Sequence, residues 1–420
     1  MLRRLKELLV ILNLIEAEGK LRILLSHNYY CTSAPSGEDA VFHNERKLLE
    51  TQCEIIPYER HNDDIDESKF GGKVRLGLDA AWSQKTYEEL CAIIHKTRPE
   101  LAHFYNTFPL ISASAYAACR DNGVPVVQTV QNYRLVCPNG LLLRDGKPCE
   151  DCFGTNFLPA IRYRCYRASL SATGAVVWSL LSNRWRGTYN NLVNRYIAPT
   201  QFAAGKLIEG GLPKSQMEVK PNFLPIIPDP GAGSGGYVLF AGRLSSEKGL
   251  RTLLEAWKRV KGLPLKIAGE GPLRKELQSV AILENLPIEF LGCVSYSKVL
   301  NLTQNALCLV VPSEWYEGFP MVVVQALACG TPVIASRLGS LDEIVEEGKT
   351  GLKFEAGNPQ DLAIQVNELV SNGSRLASMR INARSTFEEH YTAEKNYSKL
   401  MEIYQSAIRD LEDRRYPECA

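Results

Sequence analysis

This sequence has almost no charge imbalance: 48 Lys and Arg stand against 47 Asp and Glu in 420 residues. Whole-chain charge therefore gives no ground for nucleic-acid binding, and no nucleic-acid motif accompanies the basic residues that are present. The chain also lacks any apolar run of the ~18–20 residues needed to span a bilayer, so an integral helical membrane protein is not expected. Its 12 cysteines lack a regular pairing pattern. At the start, Arg3, Arg4 and Lys6 precede LLVILNLI as in a signal peptide, but Glu16 and Glu18 stand where small cleavage-site residues belong. An amphipathic helix over 1–19 and a cytoplasmic chain with reduced thiols are expected instead. Acid is missing locally too: between Cys152 and Ile208 there is no Asp or Glu, whereas Arg162, Arg164, Arg167, Arg184, Arg186, Arg195 and Lys206 all occur.

What is there reads as a soluble α/β protein, with 45% apolar and 23% charged residues. At roughly 150 residues per domain the length allows two or three domains, and two is the simplest count. The most informative stretch is SEWYEGFPMVVVQALACGTPVIAS, residues 313–336. The run 307–311 before it reads as a buried parallel strand, and the polar turn carries Glu314 and Glu317 before Gly318 and Phe319 open a helix. Ligands of open α/β sheets bind beyond the carboxyl ends of strands. Gly318 permits close backbone approach, and Pro320 is expected at the first helical position. Free amides at the helix start favour an anion, and a carboxylate beside it, Glu317, suits the hydroxyls of a phosphate-linked sugar. Earlier, a strand over 237–242 leads into GRLSSEKG, 242–249, where Arg243 and Lys248 can reach one pyrophosphate, one as a fork and one as a point charge.

The 313–336 segment resembles the signature of the family-four (group 1) retaining glycosyltransferases of GT-B architecture, in which two glutamates stand eight positions apart around Gly-Phe. Glu317 matches the first; Gln325 stands where many relatives have the second. The resemblance covers most of 21–405 and is more specific in the C-terminal half. It implies two Rossmann-like domains facing a cleft, with a C-terminal helix returning to the N-terminal domain. The expected division is 1–222, with a Cys-rich insertion at 137–165; a linker at 223–236; a nucleotide-sugar domain at 237–385; and the returning helix in 386–420. It further implies that Glu317 contacts the donor sugar, Gln325 the ribose, and Arg243 and Lys248 the diphosphate. Gly242, Gly318, Phe319, Pro320 and Met321 lie around the donor, and backbone at Gly292, Cys293 and Val294 reads the base. An amide at 325 still accepts from and donates to a ribose hydroxyl.

In the N-terminal half, a strand over 21–26, a loop with Ser36-Gly37-Glu38-Asp39 and a helix over 41–50 make an opening βα unit. By resemblance, the loop at Gly37 lies over the donor phosphates; by itself it reads as an ordinary connection. Further strands are expected at 53–58, 101–105, 124–130 and 196–199. The last residues of TVQNYR, 129–134, should enter the cleft, and Gln131 stands where the family often has a histidine that contacts the donor. A polar strand end is the alternative reading. Asn106 and Thr107 are weaker acceptor-side candidates, and Leu338 and Gly339 weaker phosphate neighbours. The acidic run 63–67 contains Asp-x-Asp, but without a flanking strand it reads as a solvated loop, and no catalytic metal is expected.

Cys137, Cys149, Cys152 and Cys165 form C-x11-C-x2-C-x12-C. A tetrahedral structural zinc, unlinked thiols and disulfides are all open readings. The acid-free aromatic and arginine-rich stretch 157–195 suits either an anionic bilayer surface or the pyrophosphate of a lipid-linked acceptor, or else is a core helix with solvated arginines.

The resulting expectation is a metal-independent hexosyltransferase using a UDP-sugar, UDP-glucose foremost, on a glycan or lipid-linked acceptor. Its setting is envelope or exopolysaccharide synthesis, with peripheral contact at the inner membrane surface. The alternative is a nucleotide-sugar-binding protein with little or no turnover, acting as a regulator or assembly partner. A nucleotide-sugar 2-epimerase would need cleft carboxylates and histidines that are not found.

Overall fold

The computed structural model describes residues 20–32, 36–65 and 70–415. The expected helix at 1–19 lies outside the described residues, as do Asp66 and Glu67 of the acidic run.

Two parallel six-stranded sheets carry the fold. The first contains β1 (Arg22–Tyr29), β2 (Glu54–His61), β3 (Leu101–Phe104) and β4 (Val126–Thr129). After a small hairpin of β5 (Leu143–Arg144) and β6 (Lys147–Pro148), it is completed by β7 (Arg195–Ala198) and β8 (Met217–Val219). Its order is β2-β1-β3-β4-β7-β8. The second contains β9 (Val238–Ala241), β10 (Leu265–Ala268), β11 (Ile288–Gly292), β12 (Cys308–Val311), β13 (Val333–Ser336) and β14 (Gly351–Phe354), in the order β11-β10-β9-β12-β13-β14. Helices cover both faces, which is why central strands such as CLVV of β12 read as unbroken apolar runs and are buried throughout. This is the α/β, GT-B arrangement expected. In each sheet the strand order reverses once, between β1 and β3 and between β9 and β12, and loops leaving those strands diverge to leave a crevice.

The helix Leu250–Trp257 shows how sequence sets the packing: Leu250, Leu253, Leu254 and Trp257, spaced for one helical face, are all buried against the second sheet. The final helix, Ala393–Arg415, repeats the pattern with Leu400, Ile403, Tyr404 and Ala407, but its apolar face lies on the first sheet, against Ile23, Leu25, Leu101 and Val127. It therefore returns across the molecule. Each large side chain so buried contributes roughly 1.5–3 kcal/mol. Polar contacts fix its register: Tyr404 Oη lies 2.7 Å from His103 Nδ1, and Arg195 pairs with Asp410 and donates to Ser406 Oγ at 2.8 Å. His103 Nε2 is 2.8 Å from Thr129 Oγ1, and burial pushes the imidazole down to about 3. Nearby, Lys220 Nζ donates to Glu45 Oε2 at 2.6 Å, both side chains being buried. Burial alone would raise the Glu45 carboxyl, but the Lys220 ammonium outweighs it and the group titrates below its usual range.

Several local expectations are revised. β2 continues to His61 because β1 offers it a parallel partner to the end, with Tyr29 opposite His61. Asp63 thus sits on a short turn directly after a strand, accepting from the Thr32 amide at 3.0 Å, rather than in a strandless loop. β8 is a three-residue edge strand too short to leave a pattern. The Pro- and Gly-rich stretch 225–236 is tied down: the amides of Gly231, Gly233 and Gly235 donate to the carbonyls of Cys329, Gln304 and Asn305 at 2.8, 3.0 and 2.8 Å. A Cβ at Gly231 would lie 2.0 Å from Gln304 O, so that glycine serves close approach. In the stretch 157–195, Leu170–Trp185 forms a helix that packs on Phe70–Ala81, with Ser179 Oγ donating to Ala80 O at 3.0 Å. Among the described residues no helix is long and apolar enough to cross a membrane.

Candidate active site

The loops after β9 and β12 adjoin at the strand reversal of the second sheet, and glycine makes the approach possible. Gly249, at φ 68°, caps the helix Leu250–Trp257; a Cβ there would lie 1.8 Å from Pro312 O. The Glu314 amide donates to Glu247 O at 2.9 Å, and Thr252 Oγ1 donates to Glu314 Oε1 at 2.6 Å. Glu314 is therefore a tie between the loops. Glu317 is 5% exposed, and its Oε1 accepts from both Lys248 Nζ at 2.7 Å and Ser313 Oγ at 2.6 Å. Its Oε2 takes no hydrogen bond among the described residues. Lys248 Nζ also stands 5.4 Å from the Trp315 ring centre, and Trp315 Nε1 is buried without a hydrogen-bond partner.

Arg243 is exposed on the same loop, and its guanidinium makes no ion pair among the described residues. The loop's start is fixed from below: Gly242 N donates to Ala268 O at 3.0 Å, and Gly269, at φ 147°, passes so close that a Cβ would lie 1.8 Å from Gly242 O. Gly269 N in turn donates to Gly292 O at 2.8 Å, which aligns the ends of β9, β10 and β11. Beyond β11, Cys293 is exposed and Val294 packs on the core. The structure thus joins Lys248 to Glu317 directly, whereas Arg243 touches neither.

Pro320 proves to be the N-cap of the helix Met321–Ala328 rather than its first residue, with extended ψ of 91°. Phe319 and Met321 pack against the core of the second sheet, Phe319 with its ring 6.1 Å from that of Tyr391, so they offer a ligand backbone rather than side chain. Gln325 is half-buried on the helix, and its amide has no partner among the described residues. Gly318 meets the other half of the molecule: a Cβ there would lie 2.6 Å from Gln131 O. The Gln131 side chain forms a reciprocal amide pair with buried Asn222, each Nδ2 or Nε2 donating at 2.9 Å, so both its polar ends are engaged. Asn222 was not legible beforehand. Gly339, at φ 58°, packs on Phe202 and Tyr316, and Glu343 accepts from the amides of Gln201 and Phe202 at 2.9 and 2.8 Å, capping a helix of the first half. The neighbourhood of Leu338 and Gly339 is thus occupied by contacts between the halves.

On the first sheet, Gly37 begins the helix Gly37–Glu50, and a Cβ there would meet nothing within 4 Å. Its neighbour is the more informative residue. Glu38 lines a pocket with Asn106, Thr107, Gln131, Asn132 and Arg134 at the β1/β3 reversal. Its Oε2 accepts from Asn132 Nδ2 at 2.9 Å and from Tyr30 Oη at 3.2 Å, and burial pushes its pKa up. Asn106 braces the loop, donating to Asn28 O at 2.7 Å. The only sequence signal for Glu38 was its place beside Gly37.

Cys137, Cys149, Cys152 and Cys165 line one small cavity together with Asn139 and Arg144, and all are free thiols. Cys137 Sγ donates to Asn139 Oδ1 at 3.0 Å. Among the described residues, however, no group of three or more His, Cys, Asp or Glu side chains is disposed to hold a metal ion.

Two cations and a carboxylate oxygen at a strand reversal can hold a diphosphate and orient a sugar hydroxyl. Residues 231–386 match the family described as Glycosyl transferases group 1. An uncharacterized glycosyltransferase of Methanocaldococcus jannaschii is 35% identical over 174 residues, 41% of this chain and 49% of that protein. Glycogen synthase of Mycobacterium tuberculosis is 29% identical over 178 residues, 41% of this chain and 43% of that protein. The chain therefore spans about half the length of the curated relatives it matches. Across both halves the fold is similar to that of HepE of Anabaena, solved with UDP, at a TM-score of 0.67 and 17% identity over 92% of this chain and 100% of that one. The same protein has been solved with UDP-glucose, at a TM-score of 0.59. Residues 231–386, which carry Arg243, Lys248 and Glu317, are thus the part of the chain that matches the group 1 glycosyl transferases.

Proposed function

We propose that the whole chain transfers a hexose from a UDP-sugar to an acceptor hydroxyl with retention of anomeric configuration and without a catalytic metal. The observation that carries this reading is the 2.7 Å contact of Lys248 with Glu317 at the β9/β12 reversal of the family-matched segment. In it, Lys248 and Arg243 bind the diphosphate and stabilise the charge that builds on it as it leaves. The free Oε2 of Glu317 accepts from a donor-sugar hydroxyl, and Gln325 bonds the ribose. The leaving phosphate takes the acceptor's proton during front-face attack, so no protein base is assigned. The donor occupies the 237–385 half and the acceptor the 1–222 half, where Glu38 orients it. UDP and UDP-glucose bound to the HepE neighbour support the choice of donor. Polysaccharide assembly at the cytoplasmic face of a membrane is the setting read for it.

The second reading, a nucleotide-sugar binder without turnover, is favoured by one observation: the amide of Gln131 is consumed by Asn222. Incubating the chain with UDP-glucose and following UDP release separates the two. Slow hydrolysis, accelerated by an acceptor mixture, is expected; tight UDP binding with no release of UDP leaves only the binder.

We also propose that the four cysteines around the common cavity close on a structural zinc when it is present, which would tie down an insertion whose only strands are the two-residue β5 and β6.

A further inference from the structure

Lys206 stands on the helix Gln201–Glu209, and its side chain is 16% exposed. An ammonium so far out of water needs partners. It has two carboxylates, with Glu150 Oε1 at 3.0 Å and Glu209 Oε2 at 2.8 Å, and three ring faces, with the centre of Phe202 at 5.8 Å and those of Phe153 and Tyr316 at 5.9 Å. These groups come from separate segments. Phe202 and Glu209 share the helix of Lys206, Glu150 and Phe153 flank Cys152 in the cysteine insertion, and Tyr316 belongs to the turn after β12 in the second half.

Tyr316 is the middle residue of that turn. The Glu317 amide donates to Trp315 O at 3.1 Å, so residues 315–317 close tightly. The residues on either side of it face Lys248, Glu317 by its carboxylate at 2.7 Å and Trp315 by its ring at 5.4 Å. Tyr316 itself faces the first half: its ring lies 4.9 Å from that of Phe202 and packs on the core that includes Tyr133, Cys137 and Leu207. We infer that Lys206 is a positioning residue for the donor sugar, its ammonium pinning Tyr316 to the first half and so holding Glu317 in place across the cleft. The inference rests on the reading of Glu317 as the donor-sugar contact and deepens it. Ring packing alone needs no charge at its centre. A cation there attracts all three faces at once and, paired with Glu150, also ties the turn to the cysteine insertion.

The test compares, in the full chain, Lys206→Met, which keeps the stem and removes the charge, with Lys206→Arg, which keeps both. Hydrogen exchange over residues 313–318 of the unliganded chain should be about three- to ten-fold faster in Lys206→Met and near the parent rate in Lys206→Arg. Calorimetry should show UDP affinity changed by less than about two-fold, while the gain of UDP-glucose over UDP falls about three- to ten-fold in Lys206→Met and is kept in Lys206→Arg. Tyr316→Leu should lose the same gain, and the double variant no more than the larger single loss. Unchanged exchange in Lys206→Met, or UDP and UDP-glucose weakened equally, overturns the inference, because Lys206 would then support the fold and not the sugar contact. Additive losses in the double variant, or a Lys206→Arg chain as impaired as Lys206→Met, overturn it too. A parent chain that binds UDP-glucose no tighter than UDP would sink the reading of Glu317 instead, and the exchange rates would still decide whether Lys206 pins the turn.

Discussion

Lys248 and Glu317, 69 residues apart in the chain, meet at 2.7 Å with one carboxylate oxygen left over. On the proposed function, the contact holds an ammonium where the sugar-bearing diphosphate binds and leaves a hydrogen-bond acceptor beside it. Lys248→Ala should lower kcat for UDP-glucose turnover by about 10²–10³-fold, the usual cost of removing a group that stabilises developing negative charge. Glu317→Gln should cost a similar factor. Because each residue holds the other, the double variant should lose less than the product of the two losses, as read from UDP release. Full additivity would mean the two act on separate sites.

Gly249 is the hinge of that contact. Its positive φ and the nearness of Pro312 O leave no room for a side chain. Gly249→Ala should lower thermal stability by about 1–3 kcal/mol and weaken UDP binding together, since the loop must move off Pro312. Calorimetry of unfolding and of UDP binding checks both; a stable variant with unchanged UDP affinity would show the close approach to be dispensable.

His103 couples stability to pH. Burial holds its folded pKa at about 3, below the ordinary 6.5, so its neutral form is favoured by folding. That contribution is complete above pH 6.5 and is lost as pH falls toward 3. Between pH 6.5 and 5 stability should fall by up to about 1.4 kcal/mol per pH unit from this group. His103→Gln should flatten that slope, whatever it does to stability at neutral pH. Denaturant midpoints measured across the interval test it, and an unchanged slope would assign the proton elsewhere.

The cysteine cavity gives a prediction independent of catalysis. Protein purified without chelator should carry about one zinc per chain, and Cys149→Ala should lose it and lower stability, as for other small metal-tied loops. Elemental analysis showing no zinc in the native chain, or unchanged zinc in the variant, removes the proposal.

Much of this was readable before folding. The apolar run of β12, the polar turn with Glu317, and the Gly-Arg…Lys-Gly loop after β9 are local patterns whose consequences are local too. Parallel strands buried on both faces announce themselves, and the spacing of Leu250, Leu253, Leu254 and Trp257 sets a helix face directly. What stayed hidden depends on residues far apart in the chain. Gln131 lines the pocket beside Glu38, but nothing near it in sequence predicts Asn222, 91 positions on, as the partner of its side chain. His103 and Tyr404 are separated by 301 positions, and their contact exists only because the last helix returns. β2 outran its apolar segment because β1 lent it a partner, and Glu38 gained its character from Asn132 and Tyr30 rather than from its neighbours in sequence. The four cysteines were visible as a spacing, but their common cavity was not.

The most direct measurement is a crystal structure of the chain with UDP-glucose bound. The account predicts the diphosphate within hydrogen-bond reach of Lys248 Nζ and Arg243, and a glucose hydroxyl donating to Glu317 Oε2. A nucleotide seated elsewhere, or a hexose turned away from Glu317, would contradict it.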